Sequence, residues 1–159
     1  MEFVNYNENE KIPAAVWFRA ILPIMREGYQ LKICPAGRSM RPFLRGGRDE
    51  AVLSVPGSGR QLKKNDIVLY SIETGIYVLH RICRINRDGI YTMGDGNRNI
   101  EGPLQREEIL AVTEYIIRKG KKISNDDPKY KFLVNLWRIL RPFRPAIFRG
   151  YSVLKQIRN

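Results

Sequence analysis

Hydrophobic positions in the middle of this chain recur at short range rather than at helical intervals. Runs rich in β-branched and aromatic residues, Tyr29 to Cys34, Glu50 to Val55, Ile67 to Ile72, Ile76 to Ile85, Gly89 to Met93 and Ile109 to Arg118, alternate with turn-forming residues, which predicts strands. Glu73-Thr74-Gly75 and Asn86-Arg87-Asp88-Gly89 have hairpin chemistry, and Pro56-Gly57-Ser58-Gly59 reads as a surface loop. Within Ile76 to Ile82, period-two alternation puts Ile76, Val78, His80 and Ile82 on one face.

The two ends read differently. Pro13 to Glu27 predicts a helix with Trp17, Ile21, Leu22 and Met25 on one face, kinked or ended by Pro23 and closed by Gly28, while residues 1–11 are polar and predict loose chain. After Asn125-Asp126-Asp127-Pro128, with Asp127 as N-cap and proline in the first turn, Phe132, Leu133, Leu136, Trp137 and Leu140 fall at helical spacing. Pro142 and Pro145 then separate a last helical stretch, Ile147 to Ile157. The expected architecture is mainly β: an N-terminal helical segment over 1–27, a compact β body over 28–120 and a basic amphipathic helical tail over 121–159.

Composition adds a core and a charge asymmetry. The 159 residues, 43% hydrophobic and 10% aromatic, suffice for one domain with a real core. Residues 118–159 hold twelve Lys and Arg against two Asp and so carry +10 of the formal +12. Such a tail suits an anionic membrane surface, nucleic acid or an acidic partner. A basic amphipathic helix carrying a tryptophan fits a membrane interface over 128–158, and packing of that helix on the domain's own core is the competing expectation. The first apolar run, Ala14 to Met25, contains Arg19 and Pro23 and falls short of the roughly 20 residues that cross a bilayer. Glu2, Glu8 and Glu10 precede it where a secretion signal would be basic. A cytoplasmic protein is expected, either soluble or peripheral at the inner face of the membrane. Cys34 and Cys83 lie in strand-like runs as free thiols, with no disulfide framework and no metal-ligand spacing. Neither a cofactor nor a metal is expected.

Two residues carry candidate chemistry. Ser39 stands in Gly37-Arg38-Ser39-Met40-Arg41-Pro42, a tight turn leaving a strand, and His80 is the only histidine of the chain. A serine hydroxyl attacks at neutral pH only when a base takes its proton, and a neutral imidazole suits that task. Each also has an ordinary structural role open to it: Ser39 as a turn residue, His80 as a core histidine satisfied by a backbone carbonyl. A carboxylate is needed to orient the imidazole. Asp95 in Met93-Gly94-Asp95-Gly96-Asn97 and Glu101 six residues later are both candidates, with Asn97 bracing the same turn.

Taken in order, Gly37-Arg38-Ser39-Met40-Arg41-Pro42-Phe43-Leu44, Lys64-Asn65-Asp66-Ile67-Val68, Val78-Leu79-His80-Arg81-Ile82 and Gly94-Asp95-Gly96-Asn97 resemble the boxes of the signal peptidase I superfamily, which also contains the self-cleaving SOS repressors. The likeness runs from Ile33 to Lys119. With His80 where bacterial signal peptidases carry a lysine base, the chain looks like the serine-histidine branch. The resemblance implies Ser39 as nucleophile, His80 as general base and Glu101 at the position of the branch's usual aspartate, with Asp95 kept beside it. It also implies an extended peptide or protein substrate with small residues before the scissile bond. Two departures stand out: Gly37 offers no side-chain hydroxyl for the oxyanion hole, and no membrane anchor like the family's is expected from these residues. The expected function is a signal-peptidase-like serine endopeptidase that cleaves a precursor or leader peptide. The alternative is an inactive peptidase-fold module that docks an anionic membrane or another polyanion through its tail. No helix-turn-helix precedes the core, so nucleic acid is not an expected partner. Self-processing, at loops such as Gly46-Gly47 or Ser58-Gly59, ranks lower.

Overall fold

The computed structural model describes residues 3–6, 14–73, 75–144, 147 and 149. The fold is mainly β, with a helix at each end. In chain order the elements are β1 (Phe3–Tyr6), α1 (Ala14–Arg26), β2 (Gln30–Ile33), β3 (Asp49–Ser54), β4 (Ile67–Glu73), β5 (Ile76–Asn86), β6 (Gly89–Met93), β7 (Glu101–Leu104), β8 (Ile109–Arg118), β9 (Lys121–Ser124) and α2 (Pro128–Ile139). The strands form one sheet in the order β1-β2-β3-β8-β4-β5-β6-β7, with β9 paired to β8. All pairs are antiparallel except β1 on β2.

All six expected strands are present, and three more are not foreshadowed by the pattern. β1 falls in the polar stretch expected to be loose, because its backbone finds a partner in β2. β7 and β9 are four-residue strands, too short for alternation to register. Pro23 neither ends nor interrupts α1, which continues to Arg26, and Gly28 closes the helix at φ +102° with its N–H bonded to the Met25 carbonyl. The last expected helix, Ile147 to Ile157, lies outside the described residues save for Ile147 and Arg149.

Both ends contribute to the core of the body. Trp17, Phe18, Ile21 and Met25 of α1 and Tyr130 and Val134 of α2 join Leu31, Leu53, Ile67, Leu69, Ala111 and Ile116 in one buried cluster. A second cluster, Val68, Tyr70, Ile82, Ile90, Ile109 and Val112, packs on the opposite face of the sheet, since Val68 and Tyr70 alternate with Ile67 and Leu69 along β4. The apolar stripe that the spacing picks out along α2 is for the most part not the packed face. Phe132, Leu133 and Leu136 are exposed, whereas Tyr130 and Val134 are buried and Trp137 is half-buried. Tyr130 and Val134 are one turn apart, so they share a stripe opposite Phe132.

α2 also explains a second difference from simple alternation. β5 should bury alternate residues, yet His80, Arg81 and Ile82 are all buried. α2 covers the face that Arg81 occupies: the guanidinium donates to Tyr130 Oη at 3.0 Å, and Arg138 donates to the Cys83 carbonyl at 3.0 Å. At the hairpin tip Ile76 is exposed.

Candidate active site

The sequence feature that places Ser39 is the turn between β2 and β3. Gly37 holds φ +84°, which an L side chain rarely adopts, and the chain then coils through Arg41 N–H to the Arg38 carbonyl and Leu44 N–H to the Met40 carbonyl. Met40, Phe43 and Leu44 anchor this turn in the core, which leaves Ser39 half-buried at its head. Among the described residues, the Ser39 N–H takes part in no backbone hydrogen bond of the turn.

His80 reaches the same place from β5. It pairs across β4 with Val68, and two residues further along β4 Tyr70 lies on the same face. The imidazole is buried. Its Nδ1 sits 3.0 Å from Glu101 Oε2 and 3.3 Å from Tyr70 Oη. Tyr70 also donates to Glu101 Oε2, and its oxygen lies 2.8 Å from Thr92 Oγ1. Burial, reinforced by the hydrogen bond to Glu101, pushes the Tyr70 phenol well above its ordinary pKa. The phenol therefore stays protonated and donates to the carboxylate, and it accepts from the Thr92 hydroxyl. Glu101, an acceptor on both sides, takes the Nδ1–H of His80. That assigns the neutral ring its proton on Nδ1 and leaves Nε2 with a lone pair, the form a general base needs.

Nε2 faces the Ser39 turn across Gly94. A Cβ at Gly94 would lie 2.7 Å from the Ser39 carbonyl, 3.0 Å from His80 Nε2 and 3.0 Å from Asn97 Nδ2. A Cβ at Gly96 would crowd the carbonyls of Arg38, Arg41 and Ser39 at 3.1 to 3.2 Å. These glycines let β5, the Gly94–Asn97 loop and the serine turn close on one another, and Gly96 N–H fastens the junction with a 2.6 Å hydrogen bond to the Ser39 carbonyl. Ser39 and His80 line one cleft of about 300 Å³, whose walls include Phe18, Ile33, Cys34, Met40, Leu69 and Tyr77. The hydrogen bonds of the imidazole run through Nδ1, and none joins it to Ser39 Oγ. Such contacts often tighten only with substrate in place.

The structure separates the two candidate carboxylates. Asp95 is a neighbour of the site and not a partner of His80, which corrects the expectation that it could orient the ring. Its two oxygens accept a bidentate pair from Arg81 Nε and Nη2, both at 2.8 Å, and its carbonyl accepts from Trp137 Nε1 at 2.6 Å. Arg81 precludes any other role, because both groups are buried and each needs the other. Asn97 braces the loop as expected, its N–H bonded to the Gly94 carbonyl at 2.9 Å. Asp66 of the second motif lies away from the cleft, accepting the Lys63 N–H at 3.0 Å in the turn into β4.

Tyr70 and Thr92 escaped the sequence reading. The one available signal was register: with β4 and β5 paired at Val68 and His80, Tyr70 is two positions from the histidine's partner on the same face. Cys34, on the cleft wall, and Cys83 are both half-buried free thiols. Among the described residues no group of three or more His, Cys, Asp or Glu side chains could hold a metal ion, and no helix is long and apolar enough to cross a membrane. No protein-family model matches this sequence, and no curated protein matches it.

Proposed function

We propose that this protein is a serine endopeptidase in which Ser39 is the nucleophile, His80 the general base and Glu101 the residue that orients and charges against the imidazole. The observation that carries this reading is the hydrogen bond from the only histidine's Nδ1 to Glu101, which turns Nε2 toward the Ser39 turn in a shared cleft. The resemblance of the ordered motifs to signal peptidase I supports the same roles.

The chemistry follows from those positions. As Ser39 Oγ attacks a peptide carbonyl, Nε2 takes its proton, and the imidazolium that forms is stabilised by the Glu101 carboxylate. The Ser39 N–H is the donor available to the developing oxyanion, a larger share than usual because Gly37 carries no hydroxyl. His80 then returns the proton to the leaving amine, leaving an acyl group on Ser39. In the second half His80 takes a proton from water as its oxygen attacks the ester; the bond to Ser39 Oγ then breaks, the carboxylic acid product leaves, and the imidazolium returns the proton to Oγ.

The cleft also has a place for an extended chain. β6 pairs with β5 only from Arg81 onward, so among the described residues the edge of Tyr77 to His80 opposite β4 has no strand beside it. A peptide added along that edge would present its backbone to unpaired groups and deliver a carbonyl to Ser39. A cleft of about 300 Å³ suits small side chains before the cut, as the resemblance implies. The reading places this work on a precursor or leader peptide, in the cytoplasm or at the inner surface of the membrane.

Mass-spectrometric profiling of a random peptide library with purified protein tests the proposal. It predicts cuts after small residues that vanish in Ser39→Ala and in His80→Ala. A library left intact by the wild type, or cut equally by Ser39→Ala, contradicts it and favours the alternative of an inactive binding module.

A further inference from the structure

α2 presents two apolar faces, and only one of them is used by the fold. The inner face is packed: Tyr130 and Val134 are buried, Trp137 donates to the Asp95 carbonyl, and Arg144, just past the helix, donates to the Asn97 carbonyl at 2.8 Å. On the outer face Phe132 is 66% exposed, Leu133 52%, Leu136 41% and Ile139 74%, and Phe143 in the following turn is 62% exposed. At 100° per residue, Phe132, Leu133, Leu136 and Ile139 fall within about one third of the helix circumference. A helix whose outer side simply faced water would carry polar residues there.

The charge on and beyond the helix is of one sign: the acids Asp126 and Asp127 lie just before its start, where Asp126 pairs with Lys131 and Lys63. Of the cations, Arg138 and Arg144 turn their guanidinium groups into the fold. From Pro128 to Asn159 there are eight Lys and Arg and no Asp or Glu. Lys129, in the first turn, and Arg149 are exposed, and Arg98 and Arg141 are joined at the far end of α2, where Arg141 donates to the Arg98 carbonyl. A second copy of the chain docked face to face would bring these cations against their own kind. An anionic bilayer offers what both features need at once: acyl chains for the aromatic and aliphatic side chains, and phosphates for the cations.

We infer that α2 is a membrane-docking helix, lying in the interface of an anionic bilayer with Phe132, Leu133, Leu136, Ile139 and Phe143 toward the acyl chains. This goes beyond the peptidase reading and stands without it, since the binding surface and the cleft use different residues. The two are nonetheless linked in the fold: the helix that meets lipid holds the Gly94–Asn97 loop on its other side, so docking fixes the orientation of the cleft over the membrane.

Sedimentation of the full-length protein with vesicles of phosphatidylcholine, alone or mixed with phosphatidylglycerol, tests this. Binding at least about tenfold tighter to the anionic vesicles, and weakened by salt, is expected. The triple variant Phe132→Ser/Ile139→Ser/Phe143→Ser should lose more than about tenfold of that binding. If that variant is unfolded by circular dichroism, Ile139→Trp decides instead: its fluorescence should be quenched by brominated acyl chains beyond that of the parent protein. The inference is overturned by equal binding to neutral vesicles, by unchanged binding of the folded triple variant, or by an unquenched Trp at 139. It is overturned equally if these side chains drive dimerisation in buffer, or capture of DNA or acidic peptide in preference to lipid.

Discussion

Asp95 and Glu101 lie six residues apart on the same loop-and-strand segment, both within one side chain of the site, and their environments give them opposite tasks. Asp95 is buried against Arg81, a cation that never loses its charge, and its carbonyl is held by Trp137. Glu101 is half-buried and faces an imidazole and a phenol. A carboxylate locked to a guanidinium has no protonation change left to stabilise, so Asp95 can only hold structure. One set against an imidazole gains most when the ring becomes charged, which is the moment of catalysis in the proposed mechanism. What a carboxylate does here is decided by the partner that reaches it.

Substitution should pull the two apart. Glu101→Gln is expected to leave the protein folded and to lower kcat of the proposed peptidase by about 10³ to 10⁴, because the amide no longer favours the imidazolium; steady-state cleavage of a substrate found in the library measures it. Asp95→Asn should act on stability, costing about 3 to 5 kcal/mol in chemical denaturation by leaving Arg81 buried without its counter-charge. Equal losses of stability in both variants would break the contrast.

A third carboxylate supplies a control at the far side of the serine turn. Asp49 is fully buried; burial alone would raise its pKa, but hydrogen bonds from Arg48, Arg118 and the Arg45 N–H more than offset this and hold it well below the carboxylate range. A depressed folded-state pKa contributes stability that is complete above the unfolded value near 3.8 and is lost as pH falls below it. Wild-type stability should therefore drop on acidification through that range, and Asp49→Asn, destabilised by about 3 kcal/mol at neutral pH, should lose much of that acid dependence. Thermal melts across pH check both.

The smallest expected effect sharpens the comparison at Glu101. Tyr70→Phe removes one of its two donors and keeps the ring, so a fall of about tenfold in kcat with about 1 kcal/mol of stability is predicted. Since the chain has a single histidine, the Nδ1 proton gives one imidazole resonance to follow by NMR. Glu101→Gln should shift or lose it, and Asp95→Asn should leave it in place.

Elements with strong periodicity are legible in the sequence, whereas a role that depends on a distant partner is not. Six strands follow from turn residues and alternation and both helices from helical spacing and capping residues, and Ser39 and His80 line one cleft. The choice between Asp95 and Glu101 was not legible, because it turns on Arg81, which alternation assigns to an outer face and α2 then covers. Tyr70 was hidden for a related reason: a phenol in a strand looks like core until the β4–β5 register sets it beside the histidine. The two glycines at 94 and 96 read as turn formers, whereas their lack of Cβ serves the close approach of the serine turn.

The central claim is that His80, held by Glu101, activates Ser39. Its most direct test is mass spectrometry of the protein after exposure to a fluorophosphonate. The account predicts a single adduct on the peptide containing Ser39, absent in His80→Ala, much slower to form in Glu101→Gln, and formed at the wild-type rate by whatever fraction of Asp95→Asn remains folded. No adduct on Ser39 in the wild type, or labelling indifferent to the loss of His80, would contradict it.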